Sequence, residues 1–117
     1  MNISPENLFA ALSNSTRLRC VMLLMRHDEL CVCELNHAID VAQPHLSRHL
    51  AQLRELKLVT DRREGLWIYY RINPSLPDWI RSVLQQTIKG IEYQSPFKDD
   101  LATLATMPKQ SGASRCA

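Results

Sequence analysis

The feature that most constrains the fold is the run of residues 33–72, in which a short helical pattern, a tight turn, a longer helical pattern and a hairpin pattern follow one another. The first helix of this run is predicted over residues 33–39, because apolar side chains recur there at helical spacing. The stretch DVAQP forms the turn, and the second helix is predicted over residues 43–57. Pro44 is tolerated at its start because the first turn of a helix has no intrahelical N–H bond to lose.

A β-hairpin is predicted where LVTDRR and LWIYYRI flank the dipeptide EG. Gly65 suits the positive φ that a tight loop requires. In the second strand, Ile68, Tyr70 and Ile72 occupy alternate positions, so one face of the hairpin can be buried while the other is exposed. Helix, turn, longer helix and basic hairpin together predict a winged helix-turn-helix, in a mainly α fold with a small β-hairpin.

Further helices are predicted on both sides of this unit. The dipeptide SP at residues 4–5 suits the start of a short first helix, and a second helix follows over residues 16–26. Downstream, residues 78–93 form a long helix with a broad apolar stripe. A second SP dipeptide, at residues 95–96, opens a last short helix that ends near residue 107.

The second helix of a helix-turn-helix lies in the major groove and presents its N-terminal residues to base edges. Glutamine suits adenine, arginine suits guanine or phosphate, and the polar face here carries no acidic residue before Glu55. A solvated amphipathic helix is the alternative, and Ala42 at the expected N-cap forgoes about 1 kcal/mol relative to serine. His49 lies near the apolar face and is expected to be packed. The predicted DNA contacts are Gln43, His45, Ser47, Arg48 and Gln52 on the helix and Arg62 and Arg63 on the hairpin.

Two cysteines, Cys31 and Cys33, stand directly ahead of this unit in the stretch ELCVCELNHA. Three interpretations are open: a soft-ion site, a redox pair, or two ordinary buried thiols. Thiolates select soft ions such as Zn(II), Cd(II) and Cu(I) and, by the same logic, As(III) and Sb(III). On a regular helix residues i and i+2 diverge by about 200°, whereas in extended backbone they point the same way. The two sulfurs can therefore share one ion only where the start of the helix is irregular or bends on binding.

The other candidate ligands have simpler interpretations. Cys20 lies in the apolar stretch CVMLL and is expected in the core. His37 is expected to be a solvated helix residue. Cys116 lies in the C-terminal tail, where it is either inert or a third ligand.

Composition limits the classes of protein to which the chain can belong. With 117 residues it has the length of one domain, and its net charge of +2 means that any nucleic-acid surface must come from local clustering. No apolar run approaches the roughly 20 residues of a membrane span, and the N-terminus lacks the pattern of a signal peptide. The cytoplasm is therefore expected, with cysteines that are reduced, metal-binding or buried rather than disulfide-bonded.

A small thiol enzyme is the competing functional class. Against it, the chain has no Cys–His nucleophile spacing and no phosphate-cradling loop, and it contains three glycines in all. A third hypothesis is a DNA-binding protein whose cysteines are structural. No catalytic cofactor is expected.

The segments LCVCEL, QPHLSRHL and RREGLWIYYRI, taken together, resemble the ArsR–SmtB family of metal-responsive winged-helix repressors, most closely its arsenic- and antimony-responsive branch. The similarity runs over about residues 8–93. It implies a homodimer that represses an arsenic-resistance operon and leaves double-stranded operator DNA when As(III) or Sb(III) binds. In that branch three cysteines hold the inducer, and Cys31 and Cys33 match two of them.

This sequence departs from the family pattern at the third cysteine, where Asn36 stands. Three outcomes remain open: two thiolates plus hydroxide, recruitment of Cys116, or preference for a mono-organic arsenical, which needs two sulfurs. The zinc-sensing members place Asp-x-His on the dimer helix, but here Asp78 is followed by Ile80 at the histidine position. A zinc site on that helix is therefore not supported, although Cd(II) or Zn(II) at the cysteines stays an alternative.

The resulting organisation is a winged helix-turn-helix DNA-binding and dimerisation domain over residues 1–94, a short C-terminal helix over 95–107 and a flexible tail over 108–117. The chain is expected to dimerise through its terminal helices, because a broad apolar stripe near the end of a small domain suggests a partner surface. The predicted dimer contacts are Leu8, Ile80, Leu84, Ile88 and Ile91.

Overall fold

A computed structural model describes residues 3–107, so the predicted flexible tail and Cys116 lie outside the described residues. Within this range the chain forms six helices and three strands. In chain order the elements are α1 (Pro5–Leu12), α2 (Ser15–Arg26), β1 (Leu30–Cys31), α3 (Val32–Ile39), α4 (Gln43–Glu55), β2 (Val59–Glu64), β3 (Trp67–Ile72), α5 (Asp78–Ile91) and α6 (Phe97–Ala105). The predicted winged helix-turn-helix and mainly α class are confirmed.

The first two helices begin at side-chain caps. The Ser4 hydroxyl accepts from the Asn7 backbone N–H at 3.1 Å, and the Asn14 side chain accepts from the Arg17 N–H at 3.0 Å. Each cap satisfies an N–H that has no partner within its own helix. The break between α1 and α2 is therefore fixed by local sequence.

The turn between α3 and α4 and the end of α4 both depend on left-handed backbone. Asp40 has a φ of 60° and ends α3, and Lys57 has a φ of 72° just after α4. Helix α4 ends at Glu55, two residues before the predicted end at residue 57, because a left-handed residue cannot continue a right-handed helix. At the other end, Ala42 is the N-cap and provides no side-chain bond.

The sheet has three antiparallel strands in the order β1-β3-β2, one more strand than predicted. Strand β1 pairs Leu30 with Tyr70 and Cys31 with Tyr69. Two residues are too short to show the alternation by which strands are predicted. This pairing attaches the chain just before α3 to the wing, the hairpin formed by β2 and β3.

The apolar stripe of α5 lies inside the single chain rather than on its surface. Ile80 and Leu84 are fully buried, Ile88 is nearly so, and Leu8 of α1 is also fully buried. The prediction that these four residues form the dimer contact is not supported, because α5 packs its stripe on the core that includes α2. Ile91 is half-buried. Dimerisation itself stays a prediction.

Helix α6 packs against α2 and α3 and is held by a buried ion pair. Asp100 is 3% exposed and accepts from Arg19 Nε at 2.8 Å and from Arg19 Nη2 at 2.6 Å. The same Nη2 donates to the Ile39 carbonyl at the end of α3 at 3.1 Å. One guanidinium from α2 therefore joins the first turn of α6 to the end of α3. None of the helices described between residues 3 and 107 combines the length and apolarity of a membrane span.

The substitution Asp100→Asn is expected to lower the free energy of unfolding by about 1–3 kcal/mol, because it removes a charge-assisted pair and leaves a partly buried guanidinium without its counter-ion. Urea titration followed by circular dichroism measures this. Asp99→Asn is the matched control, since Asp99 is exposed in the same first turn of α6. Equal losses in the two variants would show that the ion pair is not the cause.

Candidate thiol site and nucleic-acid interface

The two sulfurs of the thiol pair meet at the junction of β1 and α3. Cys31 ends β1 and is the N-cap of α3, with extended backbone at φ −83° and ψ 164°. Cys33 lies in the first turn of α3. Their Sγ atoms are 3.3 Å apart, a non-bonded contact.

This geometry decides between the two conditions set by the i, i+2 spacing. The first condition, an irregular start of the helix, is met, because Cys31 lies outside α3 in extended backbone. The sulfurs converge without any movement of the chain. The alternative, a backbone that must bend before the sulfurs can meet, is therefore unnecessary.

The separation of the sulfurs fits two ligands on one soft ion. The bond between zinc and a thiolate sulfur is about 2.3 Å long. With bonds of that length, an S–ion–S angle of about 90–110° places the two sulfurs about 3.3–3.8 Å apart. The observed 3.3 Å lies at the narrow end of this range. Cys31 is 1% exposed, whereas Cys33 is half-buried, so a ligand from solvent has access to the pair on the Cys33 side.

The start of α3 has the pairing of a capping box. The Glu34 carboxylate accepts from the Cys31 backbone N–H at 2.9 Å, and the Cys31 sulfur faces the Glu34 N–H in the reciprocal arrangement. Cys20 lies in the core of the chain, where burial raises its pKa to about 12.

A third protein ligand is not found near the pair among residues 3–107, where no group of three or more His, Cys, Asp or Glu side chains could hold a metal ion. Asn36, at the position of the family's third cysteine, donates through its amide to the Val41 carbonyl and so stabilises the turn before α4. His37 is exposed, as predicted. Recruitment of Cys116 falls outside the described residues.

The predicted DNA contacts on α4 divide into two groups. Gln43, Ser47 and Arg48 are exposed along the first half of the helix, and half-buried His45 lies beside Arg48, with 3.2 Å between His45 Nδ1 and Arg48 Nη2. Gln52, one turn further, is exposed but bound within the chain. Gln43, Ser47 and Arg48 are therefore better placed than Gln52 to contact a base edge or a phosphate.

Arg17 of α2, which the sequence analysis did not single out, fixes α4 to α1. Its Nε donates to the Ala11 carbonyl at 2.9 Å, and its Nη1 donates to Gln52 Oε1 at 2.9 Å and lies 3.1 Å from His49 Nδ1. His49 is 7% exposed, so its predicted packed position is confirmed. No local pattern could reveal Arg17, because its partners on α4 lie 32 and 35 residues away.

The two wing arginines lie in different surroundings. Arg62 donates to both carboxylate oxygens of Glu29, at 2.7 and 2.8 Å, and to Glu64 at 3.3 Å, and its guanidinium lies 4.5 Å from the centre of the Tyr69 ring. Arg63 is exposed and pairs with Ile68 in the ladder, which places it on the opposite face of the sheet. Gly65, at the tip, has the predicted positive φ of 60°.

Comparison with known proteins relates this geometry to characterised chains. The profile described as bacterial regulatory protein, arsR family, matches residues 14–61, from the cap of α2 into β2. The arsenic resistance transcriptional regulator ArsR1 of Pseudomonas putida is 43% identical over 108 residues, which cover 92% of this chain and 84% of that protein. The arsenical resistance operon repressor of Escherichia coli K12 is 46% identical over 82 residues, or 70% of each chain. The crystal structure of the AntR antimony-specific transcriptional repressor superposes with a TM-score of 0.62 at 28% identity, covering 79% of this chain and 86% of that one.

Acidification is expected to destabilise the protein through His49. Burial lowers the pKa of His49, with Arg17 and Arg48 acting in the same direction. The unfolded chain then binds more protons than the folded chain, so the free energy of unfolding falls as the pH drops below the ordinary histidine value of about 6.5. Urea titrations at pH 7.5 and pH 5 should show a smaller fall in His49→Gln than in wild type.

His37→Gln is the matched control for this titration, because His37 is exposed on α3. Its stability should depend on pH as that of the wild type does. An unchanged pH dependence in His49→Gln would contradict the assignment.

Proposed function

Because this chain belongs to the ArsR family of bacterial regulatory proteins, we propose that it is a homodimeric repressor of an arsenic-resistance operon, which leaves double-stranded operator DNA when a trivalent metalloid binds Cys31 and Cys33. The observation that carries the proposal is the 3.3 Å contact between the two sulfurs at the start of the helix that precedes α4. Relatives at this level of identity are transcriptional regulators, and the chain is a winged-helix transcriptional repressor rather than an enzyme.

The inducer we propose is As(III) or Sb(III), inorganic or as a mono-organic arsenical. Two relatives are named for arsenic or arsenical resistance, and one structural relative is named as antimony-specific. Two converging thiolates suit an ion whose remaining valence is taken by hydroxide, by carbon or by Cys116. Zn(II) and Cd(II) are weaker candidates, because structural zinc sites use four ligands and no cluster of three is found within residues 3–107.

DNA binding is assigned to α4 and the wing. Gln43, Ser47 and Arg48 are exposed at the end of α4 that a helix-turn-helix presents to the major groove. Arg63 adds a cation on the wing that can approach phosphate. Helix α3 lies between the sulfurs and this surface, so a ligand at its start acts on the element that leads into α4.

Replacing both sulfurs, Cys31→Ser with Cys33→Ser, is expected to abolish release from DNA by arsenite while leaving operator affinity within about threefold, because serine keeps the size of the side chain but is a poor ligand for soft ions. The measurement is fluorescence anisotropy on a duplex selected by the wild type from a random pool. Cys20→Ala is the matched control and should release normally, since Cys20 is buried in the core. Release that persists in the double variant would reject the site.

Arg48→Ala is expected to weaken operator binding about tenfold or more, the loss typical of one good base or phosphate contact. Raising the salt concentration should weaken wild-type binding steeply, because bound phosphates release counter-ions. Lys89→Ala removes the same charge from an exposed position on α5 and should bind nearly as wild type. Equal losses in the two variants would show that net charge, not Arg48, is responsible.

A further inference from the structure

Three side chains form a row across the sheet, one from each strand. Tyr69 of β3 is paired with Cys31 of β1 on one side and with Arg62 of β2 on the other. Residues paired in this way project from the same face, with Cβ atoms about 4.5–5.5 Å apart. The sulfur of Cys31 therefore belongs to the same side-chain row as the phenol ring and the guanidinium.

Arg62 crosses this row from one edge of the sheet to the other. It extends from β2 over the Tyr69 ring, at 4.5 Å from the ring centre, and reaches Glu29 directly before β1. Both oxygens of Glu29 are engaged, at 2.7 and 2.8 Å. Glu29, Arg62 and Tyr69 are called the strap below.

The strap is stronger than an ordinary surface ion pair. Single exposed pairs contribute little, but a bidentate arginine–carboxylate pair fixes geometry as well as charge. The Glu29 side chain is 25% exposed and the Arg62 side chain 49%, so the pair is partly shielded from water. Arginine is always protonated in proteins, and the hydrogen bond with Glu29 raises the pKa of Arg62 further.

The same contacts argue against Arg62 as a phosphate contact. Glu29 and Glu64 both bind its guanidinium, so the local charge is negative rather than positive. A phosphate would have to displace a bidentate carboxylate to bind there. Arg63 lies on the opposite face of β2 and is exposed.

We propose that Glu29 and Arg62 are positioning residues that couple the thiol pair to the wing. The strap holds the wing in its DNA-binding position through β1, and a ligand on the two sulfurs enters beside Tyr69, where it disturbs the ring and the pairing of Cys31. Coupling of two sites requires an element that both of them bias, and the strap touches both. This proposal rests on the proposed function, because it assumes that the thiols bind the inducer.

Operator affinity with and without phenylarsine oxide tests the strap. We expect Arg62→Gln and Glu29→Gln each to weaken binding by the free protein and to reduce the factor by which the arsenical lowers affinity at least fivefold. The double variant should lose no more operator affinity than either single variant, because both substitutions break the same ion pair. The dependence of affinity on salt concentration should be unchanged.

Arg63→Gln is the matched control, since it removes the same charge from the next residue of β2. It should reduce the slope of log affinity against log salt concentration by about one, the value for one phosphate contact. The full response to the arsenical should be kept. Tighter operator binding in Glu29→Gln would overturn the proposal, because it would mean that Glu29 merely holds Arg62 away from phosphate. A full arsenical response in Glu29→Gln or Arg62→Gln would also overturn it.

A second measurement separates the strap from the function on which it rests. The Nε–H signal of ¹⁵N-labelled Arg62, assigned by its loss in Arg62→Gln, should move when phenylarsine oxide binds, and should stay fixed in the variant with Cys31→Ser and Cys33→Ser. Mass spectrometry reports the adduct independently. An adduct that leaves the Arg62 signal unmoved overturns the strap alone.

Two further outcomes concern the proposed function. An adduct that moves the signal but does not release wild-type protein from DNA supports the strap and overturns the proposed function. If mass spectrometry shows no adduct, both the strap and the proposed function are overturned.

Discussion

The backbone at Cys31 serves two elements at once, and the arrangement of the candidate site depends on it. As the last residue of β1 it pairs with Tyr69, and as the N-cap of α3 it has extended backbone from which the helix starts. The extended conformation turns its sulfur toward Cys33, and the pairing with β3 fixes that conformation. A helix that began two residues earlier would separate the sulfurs and detach the wing from the start of α3.

The helices around this junction are joined by two arginines of α2, which lie two residues apart and so point to different sides of the helix. Arg19 joins α6 to the end of α3 through Asp100 and the Ile39 carbonyl, and Arg17 joins α1 to α4 through Ala11 and Gln52. Each guanidinium satisfies backbone carbonyls that lie near helix ends as well as side-chain oxygens. Helix α2 therefore holds α3 and α4 in one fixed relation.

Much of the fold could be predicted from the sequence because its signals are local. The caps at Ser4 and Asn14 and the positive φ of Gly65 depend on neighbouring residues only. The two cysteines could be singled out for the same reason, since they lie two residues apart at the start of a predicted helix. The condition for their convergence could be stated from backbone geometry, but the sequence could not decide which way it would be met.

What could not be predicted depends on contacts between distant segments. Strand β1 exists only because β3 pairs with it, and Arg62 and Arg17 find partners 33 and 35 residues away. The stripe on α5 illustrates the same limit. An apolar stripe indicates that a helix face is buried. Ile80 and Leu84 are buried by other residues of the same chain, not by a partner chain.

Under the proposed function, the unequal exposure of the two sulfurs has a consequence for the rate at which a metalloid binds. Cys33 is half-buried and Cys31 is 1% exposed, so a reagent from solvent meets the first before the second. The first bond then forms in a bimolecular step, whose rate depends on how readily the ligand reaches this more exposed side of the pair. The second forms within the complex, at the high effective concentration that a sulfur 3.3 Å away provides. The speed of capture therefore depends mainly on the more exposed sulfur, whereas the residence time of the ligand depends on both bonds.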